Sequence, residues 1–552
     1  MLLTLALNQT GRRTVLTVVI FVLLCCGIPP SYAQDPSVAP AFIELNAKDV
    51  TSMQSAIAGI EAHGGRCIHR FPVHACVGEL PTDMDTVLLH EAIAAGVHRG
   101  SLRREELVRP DENSDLALAV WQSNFLEPDK ALLGQRAEPP APPNDALLPP
   151  ASPARLQSNI SSAAPGNMQT GEFMIGNIAV GIILPESNGS IDPDTENWSV
   201  ARQDQAVAGI ASALNWWAAR EPRARLSFTY RVERSVPTGY EPIVHPQSEE
   251  SLWIGEVMGR LGHGSANYFS NVLDYVNGLR TAYGTDWAFA AIVVDDLNDV
   301  DNKFSDGYFA YAYVGGPFLV LTYDSDGYGN SNLGAVAAHE IGHLFFALDE
   351  YVTAGVACDT RSGYLDVQTA NSLSPAPNVC GSNTLCIMRG QIAPFSSGQL
   401  CASTREQVGW RDSDGNGLFD PVDTSVALSV GLTGSRRTLA GTVRSYTGLA
   451  SDVPWASPRR TPVTINGIEG VQYRVNEGEW QWATPADGTW HKVSEQFTFS
   501  VTVAGPNPET VEVQAFDTVG YHAIYTLTVE GSAQGSSYTT YLPLMTKPSV
   551  SP

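Results

Sequence analysis

The chain has 552 residues, and 33 Lys+Arg against 58 Asp+Glu leave a formal charge of −25. That length predicts three or four domains, and 43% hydrophobic residues exclude wholesale disorder. The acidic balance argues against a nucleic-acid binder or a ligand of anionic membranes, and 49 Gly with 36 Pro suit an exported, loop-rich, partly β protein.

Arg12 and Arg13 precede an apolar run over 14–28, which ends near Pro29-Pro30-Ser31-Tyr32-Ala33. This reads as a signal peptide, 1–33, too short for the ~20 residues of a spanning helix. The mature chain is expected to be secreted, with no transmembrane segment. Cleavage would remove Cys25 and Cys26 and leave Cys67, Cys76, Cys358, Cys380, Cys386 and Cys401 as disulfide candidates.

Residues 34–125 read as an α+β unit: a strand from Ala41, a helix over 50–63, two short apolar runs after Gly64-Gly65, and a helix over 83–95. That order, with Val77-Gly78-Glu79-Leu80-Pro81, resembles the inhibitory prodomains of subtilisin-type peptidases. Residues 126–166 contain two Pro-rich stretches and read as an extended linker that is easily nicked. Together they suggest a zymogen. Residues 167–423 read as α/β, with a strand over 178–184, a helix over 200–220, a strand over 226–232, a helix over 266–281 and a buried strand over 289–294. A hairpin about Gly315-Gly316 follows.

The next helix carries the chemistry. Ser331 or Asn332 offers an N-cap, and Ala337, Ile341, Leu344 and Leu348 predict one core-facing stripe. At about 100° per residue, His339 and His343 lie about 160° from Ile341, one on each side of the opposite face. Two imidazoles spaced in this way suit one Zn²⁺. Glu340, one residue after the first histidine, can serve as general base and acid for a water whose pKa zinc lowers to about 7.

His339-Glu340-x-x-His343-x-x-x-x-x-Asp349 resembles the metzincin signature, and Asp349-Glu350-Tyr351 resembles secreted bacterial peptidases of the IgA-peptidase and immune inhibitor A types. The resemblance implies Asp349 as third zinc ligand. Metzincins usually carry Gly where this chain has Phe346, which leaves Glu350 as the alternative ligand. It also implies a methionine turn, matched by Met388 in Leu385-Cys386-Ile387-Met388-Arg389-Gly390. A Cys386–Cys401 disulfide would brace that floor. Cys67 or Cys76 would either form a hairpin disulfide or serve as a latency thiol on the zinc. His69 and His74 read as surface histidines.

Asp412, Asp414, Asn416, Leu418, Asp420 and Asp423 follow the spacing of a calcium loop, with Gly417 at its sixth position. Residues 295–306 are acidic without ligand spacing and read as a surface loop. Short alternating strands over 424–530 predict a β-sandwich resembling bacterial Ig-like or fibronectin-like modules. Its Trp480, Trp482 and Trp490 are candidates for packing or for a glycan. Residues 531–552 form a tail.

The expectation is a multidomain α+β protein: a metzincin-like α/β catalytic domain, an N-terminal α+β prodomain and a C-terminal all-β sandwich. It would be a secreted zinc endopeptidase acting on protein or peptide substrates, with structural Ca²⁺. The competing reading is a surface-binding protein that uses the sandwich, for a glycan or other surface ligand, on a peptidase scaffold.

Overall fold

A computed structural model describes residues 38–126, 146–147, 163–374, 379–505, 507–530 and 544–545. The expected signal peptide, most of the Pro-rich linker and most of the tail lie outside these residues. Among the described residues no helix is long and apolar enough to cross a membrane.

The N-terminal unit runs β1 (Val38–Leu45), α1 (Val50–Ala62), β2 (Arg66–Phe71), β3 (Ala75–Pro81), α2 (Asp85–His90), β4 (Ala94–His98) and α3 (Glu112–Trp121). Its first six elements form the β-α-β-β-α-β arrangement of a ferredoxin-like unit, with strand order β4-β1-β3-β2. The helix expected over 83–95 is shorter, because the chain turns at Ala92 with φ +56° and returns as β4. Asp49 and Ser52 form a capping box that starts α1.

A two-residue strand, β5 (Ala146–Leu147), precedes the second unit. That unit runs β6 (Asn177–Ser187), α4 (Val200–Arg220), β7 (Ser227–Thr238), α5 (Glu250–Arg260), α6 (Tyr268–Tyr283), β8 (Trp287–Val294), β9 (Ala310–Tyr313), β10 (Phe318–Thr322) and α7 (Leu333–Leu344). Strands β7, β6, β8 and β10 are parallel, and β9 returns antiparallel beside β10. Alternate residues of β6 feed two cores. Ile178, Val180 and Ile182 join α4 and α7 on one face, and Ala179 and Ile183 join α5 and α6 on the other.

The two units share one ten-stranded sheet, ordered β4-β1-β3-β2-β7-β6-β8-β10-β9-β5. Strand β2 pairs parallel with β7 through His69 opposite Phe228 and Arg70 opposite Thr229. His69 is therefore not a surface residue. It is fully buried, with its ring stacked on Tyr230 and its Nδ1 2.7 Å from the Tyr230 hydroxyl. His74 is half-buried against Asp111 at 2.6 Å. Residues 295–306 form a surface loop over most of their length, with Leu297 and Val300 exposed, but its start is buried: Asp295 pairs with Arg202, and Asp296 accepts the Asp324 N–H at 2.9 Å.

After α7 come the small hairpin β11 (Arg361–Ser362) and β12 (Val367–Gln368), and the short helices α8 (Ile392–Ser397) and α9 (Ala402–Gln407). The C-terminal strands are β13 (Ser425–Thr438), β14 (Gly441–Val453), β15 (Ile468–Val475), β16 (Gln481–Trp482), β17 (Thr484–Pro485), β18 (Ser494–Val503), β19 (Glu509–Asp517), β20 (His522–Val529) and β21 (Leu544–Met545). They form two antiparallel sheets, β13-β14-β18-β17 and β16-β15-β19-β20-β21. Every second residue of β18 is buried, and Phe497, Phe499 and Val501 meet Val471, Val511 and Val513 between the sheets. Trp482 is exposed with its ring edge against Phe516, Trp490 packs against the core, and Trp480 lies under Arg474.

Candidate metal centre

Helix α7 is buried along its whole length, so both of its faces meet protein. Gly209 and Gly334 let α4 approach closely: a Cβ on Gly209 would lie 2.7 Å from Leu333, and one on Gly334 3.1 Å from Ser212. Trp217 of α4 donates its indole N–H to the Ala338 carbonyl at 2.9 Å, fixing the helix just before the first histidine. Asn332 occupies the N-cap without a capping side-chain bond, and its amide donates to the Tyr328 carbonyl at 2.8 Å.

The helix stops at Leu344, so Leu348 lies beyond it and does not continue the expected stripe. Phe346 N–H donates to the His343 carbonyl at 2.9 Å, and Ala347 N–H to the Gly342 carbonyl at 3.0 Å. This is a Schellman stop, whose left-handed position usually carries Gly. Phe346 holds that position with φ +69°, a conformation that costs an L-residue roughly 1–2 kcal/mol.

The turn folds Asp349 back over α7. One of its oxygens, Oδ1, lies 3.1 Å from His339 Nε2 and 3.2 Å from His343 Nε2, and all three residues are fully buried. The His339 Nδ1–H donates to the Ile387 carbonyl and the His343 Nδ1–H to the Ala347 carbonyl, both at 2.8 Å. A carbonyl only accepts, so these bonds fix the tautomer and turn both Nε2 lone pairs toward Asp349. Two nitrogen lone pairs and a carboxylate oxygen converging in a buried space suit a divalent cation. Glu340, also fully buried, sits between the two histidines in the same helix.

Glu350 is aimed elsewhere. Its N–H donates to the Met388 carbonyl at 2.7 Å, while its carboxyl accepts from Asn371 Nδ2 at 2.6 Å and lies 3.0 Å from Cys401 Sγ. Burial, reinforced by the neighbouring Cys401 thiol, pushes this carboxyl well above the usual carboxylate range. Met388 is fully buried beneath α7, its sulfur 2.7 Å from where a Cβ on Gly342 would stand. The Ile387–Arg389 turn thus supports the centre twice, once through the Ile387 carbonyl on His339 and once through Met388 packing.

Disulfides join Cys67 to Cys76 and Cys358 to Cys380. The first removes both thiols of the N-terminal unit, so neither is available as a latency ligand. Of the pairings open to the four later cysteines, Cys358–Cys380 forms and Cys386–Cys401 does not. Cys386 and Cys401 are free and buried, each sulfur within 3.3 Å of Thr404 Oγ1. With Glu350 they make a second cluster of metal-ligand atoms within 4.8 Å, which sequence reasoning missed because its three members come from separate segments. A third, Asp487, His491 and Glu495, is largely exposed, and Asp487 is ion-paired with Lys492.

The residues of the expected calcium loop are linked by protein hydrogen bonds, with Asn416 Nδ2 3.3 Å from both Asp414 Oδ2 and Asp423 Oδ2. Asp420 accepts from Ser413 N at 2.8 Å, Ser413 Oγ at 2.6 Å and Arg411 Nε at 2.7 Å. Asp412 accepts from Gly415 N and Gly417 N and pairs with Arg223, Asp414 accepts from Asn416 N, and Asp423 accepts from the Tyr521 hydroxyl. Asn416 also donates to that hydroxyl at 3.2 Å, and Leu418 gives its N–H to Asn416. The loop ties the second unit to the sandwich through the bonds of Asp423 and Asn416 to the Tyr521 hydroxyl.

No protein-family model and no curated protein matches the chain. Among solved structures, a catalytically inactive OgpA from Akkermansia muciniphila, in complex with an O-glycopeptide (glycodrosocin) substrate, is 9% identical. It covers 70% of this chain and 98% of that chain with a TM-score of 0.22. Wild-type OgpA gives the same identity and TM-score over 69% of this chain. The sulfane dehydrogenase SoxCD from Paracoccus pantotrophus is 13% identical with a TM-score of 0.14, and the match spans 20% of this chain and 33% of that one. Likenesses of this strength carry no argument about chemistry, which rests on the geometry above.

Proposed function

We propose that the chain is a secreted zinc-dependent endopeptidase, with His339, His343 and Asp349 holding the metal and Glu340 as the catalytic residue. One observation carries the reading: two imidazole Nε2 atoms, their tautomers fixed by carbonyls, lie within 3.2 Å of one buried carboxylate oxygen. Zinc, when bound, supplies the Lewis acidity that lowers the pKa of water and polarises a peptide carbonyl. Glu340 takes the proton of the attacking water and delivers it to the nitrogen of the departing amine. The Ile387 and Ala347 carbonyls keep both histidines oriented, and Met388 closes the floor without ligating.

The zymogen form is part of the same proposal, with a change in what does the blocking. The N-terminal unit adjoins β7 through β2, and β2 lies five strand spacings or about 24 Å from β9. Instead, Ala146 and Leu147 run parallel along β9, and Leu147 accepts the Val314 N–H at 2.8 Å. The next residue, Gly315, donates to the His343 carbonyl at 2.9 Å. Nicking between 127 and 162 would free that edge beside the metal ligands.

The test is casein hydrolysis by the nicked wild type and by Glu340→Gln, with zinc quantified in both. Zinc in both and cleavage by the wild type alone supports the reading, and zinc in neither overturns it.

A further inference from the structure

We infer that Arg460, from the loop joining β14 to β15 of the sandwich, is a positioning residue of the metal centre. It does so by clamping Phe346 in the left-handed turn that returns Asp349 to the histidines. The inference rests on the proposed zinc site.

The turn after α7 needs a residue at φ +69°, and Phe346 adopts it without the freedom of glycine. Such a conformation persists where the surroundings over-determine it. Three separate segments touch Phe346 here, and a fourth holds one of them in place. The Arg460 guanidinium lies 3.8 Å from the centroid of the Phe346 ring. The ring also lies against Gly315, where an added Cβ would stand 2.3 Å from Phe346 Cζ. Ser362 Oγ donates to the Phe346 carbonyl at 2.6 Å. Glu172, which is buried, grips Arg460 with both carboxylate oxygens, one taking Nε and the other the terminal nitrogen at 2.8 Å.

The loop that presents Arg460 is itself built into the second unit. Arg460 N–H donates to Ser457 Oγ at 3.1 Å, and Ser457 donates to the Tyr364 carbonyl at 2.6 Å. The Tyr364 hydroxyl accepts the Val463 N–H at 2.9 Å, and Val463 joins the core that includes Met388 and Ile341. A sandwich that served only as a tethered binding module would have no need to insert its inter-sheet loop there. The planar fork of Arg460 pairs with a carboxylate along its edge and covers an aromatic ring with its face, which a lysine cannot do at once.

The test measures zinc affinity by chelator competition in the full chain for the wild type, Arg460→Ala, Phe346→Gly and the double variant. Arg460→Ala should bind zinc roughly tenfold more weakly, because the turn no longer holds Asp349 in place. Phe346→Gly should bind at least as tightly as the wild type, since glycine adopts the turn unaided. In that background Arg460→Ala should have no further effect. Should Arg460→Ala fail to fold, Arg460→Lys, which keeps the charge without the fork, takes its place in the cycle. Equal affinity in the wild type and Arg460→Ala overturns the inference alone, as does an undiminished loss in the Phe346→Gly background. Absence of zinc from the wild type overturns both the inference and the proposed site.

Discussion

The backbone N–H of Glu350 donates to the carbonyl of Met388 at 2.7 Å. This clasp joins the segment after the helix to the Ile387–Arg389 turn, and it sends two adjacent carboxylates in opposite directions. Asp349 reaches His339 and His343, whereas Glu350 reaches Asn371 and Cys401. Asp349→Ala should therefore lose most of its zinc, measured by elemental analysis of purified protein. Glu350→Gln should keep about one zinc per chain and lose roughly 1–3 kcal/mol of stability from its disturbed buried hydrogen bonds, measured by urea unfolding. The reverse pattern would assign the metal to Glu350.

His69 makes docking of the N-terminal unit sensitive to pH. Burial, with Arg66 as a like-charged neighbour, pushes its imidazole pKa down to about 3. In the unfolded chain it titrates near its ordinary value of about 6.5. Below that value the unfolded state takes up a proton that the folded state refuses, so stability is full above about 6.5 and falls toward about 3. The slope is up to about 1.4 kcal/mol per pH unit. His69→Gln should be less stable than the wild type at about pH 7.5 and should lose stability more shallowly toward about pH 5. Equal slopes in the two proteins would place His69 in a solvated site.

The thiol inventory is equally specific. Denatured but unreduced protein, alkylated and digested, should carry labels on Cys386 and Cys401 and none on Cys67, Cys76, Cys358 or Cys380. A disulfide-linked peptide containing Cys386 and Cys401 would contradict this arrangement.

What the sequence made legible was local. The histidine spacing on α7, the hairpin of β9 and β10 and the alternation of β18 all depend on residues within a turn or a strand of each other. Strand β14 was not read, because few of its residues are buried and its apolar positions are sparse. The burial of His69 was not legible either: β2 is short, and only its pairing with β7 determines what covers its outer face. The spacing of Asp412, Asp414, Asn416, Asp420 and Asp423 is readable in the sequence, whereas the bonds from Arg411 and Ser413 to Asp420 are not. Phe346 was recognisable as unusual at its position, yet the Arg460 that covers it comes from the distant sandwich loop.

X-ray absorption at the zinc edge reports whether the metal sits between the two imidazoles and Asp349. The expected spectrum has a first shell of nitrogen and oxygen at about 2.0–2.2 Å, with two imidazoles and no sulfur. A sulfur shell at about 2.3 Å would contradict it, placing the metal on Cys386 and Cys401 beside Glu350.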